Sequence, residues 1–209
     1  WNPADDDFPD GKEFLLDNFN LLDGSVGNAT ASFKNTVVFT VEIPKNARRW
    51  SINICPRNHR NCGDILLHVN PRYNKKVLHC NDKQGTWGLK REFSMNKPKG
   101  TAEALLSSKC EICITITDKA FLIAANKKFV GWFPHRRSIM KYMKDGLSLV
   151  IGKSDDNGTL ETGVFSNIWW GCKYFKDSFP SSSTTESDGG SFTHCELEID
   201  VPPNVKEEL

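Results

Sequence analysis

Between Val37 and about Gly152 the chain runs as nine short strand-like segments closed by Pro, Gly, Asn or Asp, and this punctuation most restricts its fold. The segments are Val37–Ile43, Trp50–Cys55, Ile65–Arg72, Lys76–Cys80, Thr86–Phe93, Cys110–Thr117, Phe121–Ala125, Phe129–Phe133 and Leu147–Ile151. Helical periodicity is poor. Its one candidate, Ile139 to Lys144, makes about one and a half turns. Regular short strands with such turns predict an all-β, antiparallel sandwich or barrel. A chain of 209 residues holds one good-sized domain with appendages. Its 27 basic and 26 acidic residues balance, so charge implies neither a nucleic-acid nor a membrane-surface partner. No apolar run of about 18 residues occurs, and membrane insertion by a helix is not expected.

Three segments differ in character. Residues 1–32 are rich in Asp, Asn and Gly around Phe14-Leu15-Leu16 and Leu21-Leu22, a lead-in that would add an edge strand. Residues 33–155 hold the strands, and 156–209 form an extension. There Phe165–Trp170 reads as a further strand, Trp169-Trp170 as packing, and Pro180–Gly190 as a Ser-rich loop. Seven cysteines are an odd and high count for a cytosolic protein of this size. A bridge between Cys172 and Cys195 would tie the tail to the body, contributing roughly 3 kcal/mol by loop closure. A bridge between Cys55 and Cys62 would close a polar turn. Asn28 and Asn157 open N-glycosylation sequons, and the chain begins at Trp1, as after removal of a signal peptide or excision from a larger protein. Together these features favour an extracellular, secreted or ectodomain setting. The terminal Lys206-Glu207-Glu208-Leu209 is similar to a retrieval signal and keeps the endoplasmic-reticulum lumen as the alternative.

The chemistry sits on one strand. Side chains alternate along a strand, so His68, Asn70 and Arg72 share one face while Ile65, Leu67 and Val69 point into a core. Such a row of neutral and cationic hydrogen-bonding groups suits a ligand with hydroxyls at fixed positions, as a sugar has. Other signals carry less. Cys110-Glu111-Ile112-Cys113 has zinc-like spacing, yet within a strand its cysteines face opposite ways. Asp5-Asp6-Asp7 lacks the Gly and distal Glu of a calcium loop. Lys45–Arg49 and His135-Arg136-Arg137 read as exposed loops, and His79 as a neighbour of the polar row. No nucleophile motif, phosphate loop or paired carboxylates stand out, so neither an enzyme nor a cofactor or metal requirement is expected.

The motif His68-x-Asn70-Pro71-Arg72-Tyr73-Asn74, followed by Asn81 and then Trp87-Gly88, resembles the galectin family of β-galactoside-binding lectins. Supporting similarities are Trp50-Ser51-Ile52-Asn53-Ile54, Trp132-Phe133-Pro134-His135-Arg136 and Tyr142-Met143-x-Asp145-Gly146. The resemblance covers roughly half to two-thirds of the chain. It implies a jelly-roll type sandwich of two antiparallel sheets with a groove across one of them. It also implies that His68, Asn70 and Arg72 bond the axial hydroxyl and ring oxygen of galactose, that Asn81 meets the primary hydroxyl, and that Trp87 stacks on the apolar sugar face. Residues 33–155 would then be the carbohydrate-recognition domain, with a galactose-containing glycan, glycoprotein or receptor as partner.

The chain departs from the family pattern just after Trp87. Where the family has Glu and then Arg, this chain has Lys90 and Glu92. In ungapped register Lys90 would face Arg72 as a like charge and an acceptor would be missing, unless a bulge brought Glu92 nearer. Two readings follow from that: a lectin with an altered, anionic ligand preference, or a galectin-fold protein-interaction module that has lost ordinary galactose binding.

Overall fold

The computed structural model describes residues 12–16, 36–57, 64–96, 100–117, 119–143, 146–151 and 164–171. Within them run twelve strands: β1 (Lys12–Leu16), β2 (Thr36–Glu42), β3 (Ile52–Pro56), β4 (Asp64–Arg72), β5 (Val77–Gln84), β6 (Thr86–Trp87), β7 (Arg91–Ser94), β8 (Lys109–Ile116), β9 (Ala120–Ala125), β10 (Lys128–Pro134), β11 (Leu147–Ile151) and β12 (Val164–Gly171). The helical expectation shrinks to α1 (Met140–Met143). All strand pairs are antiparallel and form two sheets. One has the order β1-β11-β3-β4-β5-β6, with β7 also on β5, and the other the order β10-β9-β8-β2-β12. The expected two-sheet sandwich is therefore the observed architecture.

Alternation drives the sheets together. Ile52, Ile54, Leu67, Val69, Leu78, Leu147 and Leu149 from the first sheet meet Val37, Phe39, Val41, Ile112, Ile114, Phe121 and Ile123 from the second, all buried in one cluster. Burying such side chains stabilises by roughly 1.5–3 kcal/mol each, and the shared face fixes the register. Trp50 stands at the centre, its ring edge-on to Phe39 at 6.2 Å. Its indole N–H donates to the Tyr73 hydroxyl at 2.7 Å, which satisfies the one polar atom of a fully buried side chain. Cys110 lies in this inter-sheet core while Cys113 is buried outside it, as alternation along β8 requires.

Four local features differ from the expectations. The ladder between β4 and β5 shifts register between Ile65 and His68, so Ile65 stands opposite Lys83 and the inter-sheet core takes Leu66 in its place. The cause is an irregular, bulged ladder, which simple alternation does not anticipate. Strand β5 continues through the polar Asn81–Gln84, because pairing with β4 and β6 supplies its backbone partners. The run Thr86–Phe93 divides into β6 and β7, both on β5, where Gly88 N–H turns aside to the Asp82 carbonyl at 2.9 Å. Finally, Lys76 is not in a strand: with φ 50° it closes the turn at Tyr73–Lys75 and donates to the Tyr73 carbonyl.

Cys62, Cys172, Cys195, Asn28, Asn157, Asp5-Asp6-Asp7, the 180–190 loop and the C-terminal tetrapeptide lie outside the described residues. For Trp169-Trp170 only the backbone is described, in β12.

Candidate functional site

The outward face of the seven-stranded sheet gathers the polar row. Register places Asn53, His68 and Asn81 side by side across β3, β4 and β5. A second row runs Asn70, His79, Glu92 across β4, β5 and β7. Trp87 on β6 stands opposite Lys83 at the end of this face.

His68 is held by Asn53, whose Oδ1 is 2.7 Å from His68 Nδ1. Burial, aided by the charges of Arg72, Arg49 and His79, lowers the His68 pKa to about 4. The ring is therefore neutral at pH 7. With Asn53 presenting an oxygen, its proton sits on Nδ1 and Nε2 is left as an acceptor. The Trp87 ring lies beside it, centroids 5.1 Å apart at 60°.

Asn70 is almost wholly buried, with 1% exposure. Its amide donates to the Trp50 carbonyl at 3.0 Å, and its Oδ1 accepts from Arg72 Nε at 2.8 Å. Both polar ends are thus committed, so Asn70 acts here chiefly as a bracket that aims Arg72. The Arg72 Nη donors make no hydrogen bond among the described residues, and the half-buried charge opposes protonation of both histidines. Arg49, expected in an exposed loop, is half-buried and bridges Arg72 through the backbone.

Glu92 answers the question its position raised. Pairing opposite His79 brings its carboxylate onto the polar face, where Oε1 is 3.2 Å from His79 Nε2 and also bound by Lys90 Nζ. The Lys90 hydrogen bond first, with His79 and the charges of Lys90 and Arg72 behind it, holds the Glu92 carboxyl below the usual carboxylate range. Lys90 thus neutralises Glu92 from the solvent side, and an acceptor is present after all. Burial and Arg72 lower the His79 pKa, with Glu92 opposing, so the neutral ring can donate through Nε2.

Asn81 accepts from the Asp82 backbone N–H at 2.9 Å through Oδ1, which leaves its amide N–H groups for the face. Trp87 is 46% exposed, with the Lys83 ammonium 5.7 Å from its ring centroid. The turn carrying it is pinned from below. Arg136 Nε lies 3.0 Å from the buried Asp82 carboxylate, over Gly88, where an added Cβ would meet the guanidinium. Burial raises the Asp82 pKa, and the Arg136 charge opposes that. Arg136 thus stays in an exposed loop, as expected, and from there anchors the Trp-Gly turn.

The structure brings together His68, Asn70, Arg72, Asn81, Trp87, Lys90 and Glu92 on one face. It adds Asn53 and His79, whose signal was polarity recurring at every second position of otherwise apolar strands. Arg136 carries no such signal, because it arrives from a distant loop. Chemically the face offers a histidine acceptor, a carboxylate acceptor, guanidinium and amide donors, and an open aromatic surface.

A family profile for galactoside-binding lectins matches residues 25–147, more than half of the chain. The chain belongs to this family, the galectins. Sheep galectin-11, solved in complex with glycerol, superposes with a TM-score of 0.52 at 14% identity, covering 78% of this chain and 98% of its own. Chicken galectin 2 is 21% identical with a TM-score of 0.48, covering 74% of this chain and 95% of its own. Toad ovary galectin, in complex with thio-digalactose, is 15% identical with a TM-score of 0.49, covering 78% and 99% respectively. A search of curated proteins finds no match.

Proposed function

We propose that this galectin-fold lectin binds a galactose-containing glycan on the outward face of its seven-stranded sheet, without metal or cofactor. The observation that carries the reading is the contact of the neutral His68 with the exposed Trp87 ring. An aromatic plane buries the C–H face of a sugar while an adjacent acceptor, His68 Nε2, reads a hydroxyl on its rim. Arg72, aimed by Asn70, donates beside it, Asn81 serves the outer hydroxyl, and Glu92 accepts. With Lys90 paired to Glu92, neutral galactosides are the primary ligands, and Lys90 and Arg72 are the cations available to a sulfate or sialic-acid substituent.

An extracellular setting is part of the proposal. A bridge between Cys55 and Cys62 belongs to this reading, because such bonds persist in an oxidising compartment. The endoplasmic-reticulum lumen is equally oxidising and is distinguished by microscopy of the natively terminated protein. Mass spectrometry of a non-reduced digest tests the bridge, and a pairing of Cys55 elsewhere would overturn it.

A second reading, a protein-interaction module, is favoured by one observation: two large apolar side chains two positions apart, Trp87 and the 85% exposed Leu89, are both open to solvent. A glycan array at physiological salt separates the two. Signals confined to galactose-terminated glycans support the lectin, and a blank array alongside a successful receptor pull-down supports the module.

A further inference from the structure

Each sheet of a two-layer sandwich turns one face away from its partner, and on a solvated antiparallel sheet that face is normally polar. The five-stranded sheet breaks this pattern. On β2, β8 and β9 the buried side chains that alternate with the inter-sheet core are Thr36, Val38 and Thr40, then Cys113 and Thr115, then Ala120, Leu122 and Ala124. Register lines them up as Val38–Cys113–Ala124 and Thr36–Thr115–Leu122. Half-buried Phe129 and Trp132 on β10 continue the two rows. None of the eight belongs to the inter-sheet cluster, yet all are buried, Leu122 to 1% and Cys113 to 2% exposure. The centre of this outward face is thus apolar or neutral, and covered, while at its rims Glu111 stands half-buried opposite Thr40 and the Arg91 guanidinium lies over the Trp132 ring.

We propose that the cover is the chain's own C-terminal extension, with the segment Cys195-Glu196-Leu197-Glu198-Ile199-Asp200-Val201 laid across this face. Three observations point to that occupant. Strand β12 is the edge of this same sheet and ends with Gly171 beside Thr36, so residues 172–209 emerge at the rim of the buried face. The segment alternates strictly, with Cys195, Leu197, Ile199 and Val201 on one side and three carboxylates on the other, the pattern of a strand with one dry and one wet face. Its length fits too: seven extended residues reach about 23 Å, against about 19 Å across five strands at their usual spacing. So laid, the segment would set Leu197 and Ile199 on Val38, Cys113 and Leu122 and leave its three carboxylates to water.

Cys113 is a built-in reporter, since it carries a thiol on the covered face, whereas the Cys80 and Cys110 thiols lie between the sheets. The experiment is native-state alkylation of the full chain with N-ethylmaleimide, mapped by peptide mass spectrometry, for the parent and for the Leu197→Asp, Ile199→Asp pair. Expected is a rise of tenfold or more in the Cys113 rate with Cys80 and Cys110 unchanged. Cys113 as protected in the variant as in the parent overturns the proposal and leaves residues 17–35 as the cover. Protection of the parent that fades on dilution also overturns it, in favour of a second copy of the chain. If the charged pair loosens the whole sandwich, all three thiols react together, and the milder Leu197→Ala, Ile199→Ala pair decides by the same comparison.

Discussion

Asn70 holds Arg72: its side-chain oxygen accepts the Arg72 Nε–H at 2.8 Å while its amide is tied to the Trp50 carbonyl above the core. The guanidinium on the polar face is therefore aimed by a buried neighbour on its own strand, and the acidic partner on β7 is left to act as an acceptor.

Asn70→Ala should cost about 1–3 kcal/mol of stability, because the Trp50 carbonyl loses its donor in a buried place. It should also weaken glycan binding, because Arg72 is freed from its bracket. Urea denaturation and calorimetry on the same variant measure both effects. A variant with full affinity would remove Asn70 from any positioning role.

The low pKa of His68 makes a stability prediction with a definite sign. In the unfolded chain the ring protonates near 6.5, and in the folded protein only near 4, so between these values the unfolded state binds more protons. The contribution of neutral His68 is fully present above pH 6.5 and is lost as pH falls to about 4, a change on the order of 3 kcal/mol. His79 is shifted the same way and adds to the slope. Denaturation curves from pH 7.5 to 4 should fall less steeply for His68→Gln than for the parent, and parallel curves would contradict the assignment.

Lys90 and Glu92 should separate cleanly. Glu92→Gln removes the acceptor charge and should lower galactoside affinity about tenfold. Lys90→Ala removes only an exposed ion pair and should leave the melting temperature nearly unchanged. If Lys90 instead faced Arg72 as a like charge, its removal would stabilise the protein.

The seat under Trp87 gives a further test. Arg136→Ala leaves the buried Asp82 carboxylate without its counter-charge and should cost about 1–2 kcal/mol, since the guanidinium is partly solvated. Gly88→Ala should act in the same direction by pushing Arg136 aside. Thermal unfolding of the two single variants and the double variant checks this: the double should lose little more than Arg136→Ala alone.

Much of this was legible in the sequence, because alternation and turn residues act locally. The strand Asp64–Arg72 showed its polar row and Leu67 and Val69 their core face from spacing alone. Ile65 was misplaced, since the register shift that turns it away is a property of the ladder, and the composition of one strand does not reveal it. Glu92 was ambiguous for the same reason. Its side of the sheet depends on where β7 begins, which the Gly88–Lys90 break decides. Arg136 belonged to a quoted similarity, but its anchoring role was not legible, because its partner, Asp82, is fifty-four positions away and meets it only in the folded state.

Calorimetric titration of a galactose-terminated glycan into the parent, His68→Ala and Trp87→Ala proteins tests the central claim most directly. Trp87 is exposed enough that its loss should leave the fold intact, so a change in affinity reports the face itself. Measurable binding by the parent, with a loss of tenfold or more in each variant at unchanged melting temperature for Trp87→Ala, is the expected result. Variants that bind as tightly as the parent would place the ligand elsewhere and contradict the assignment of this face.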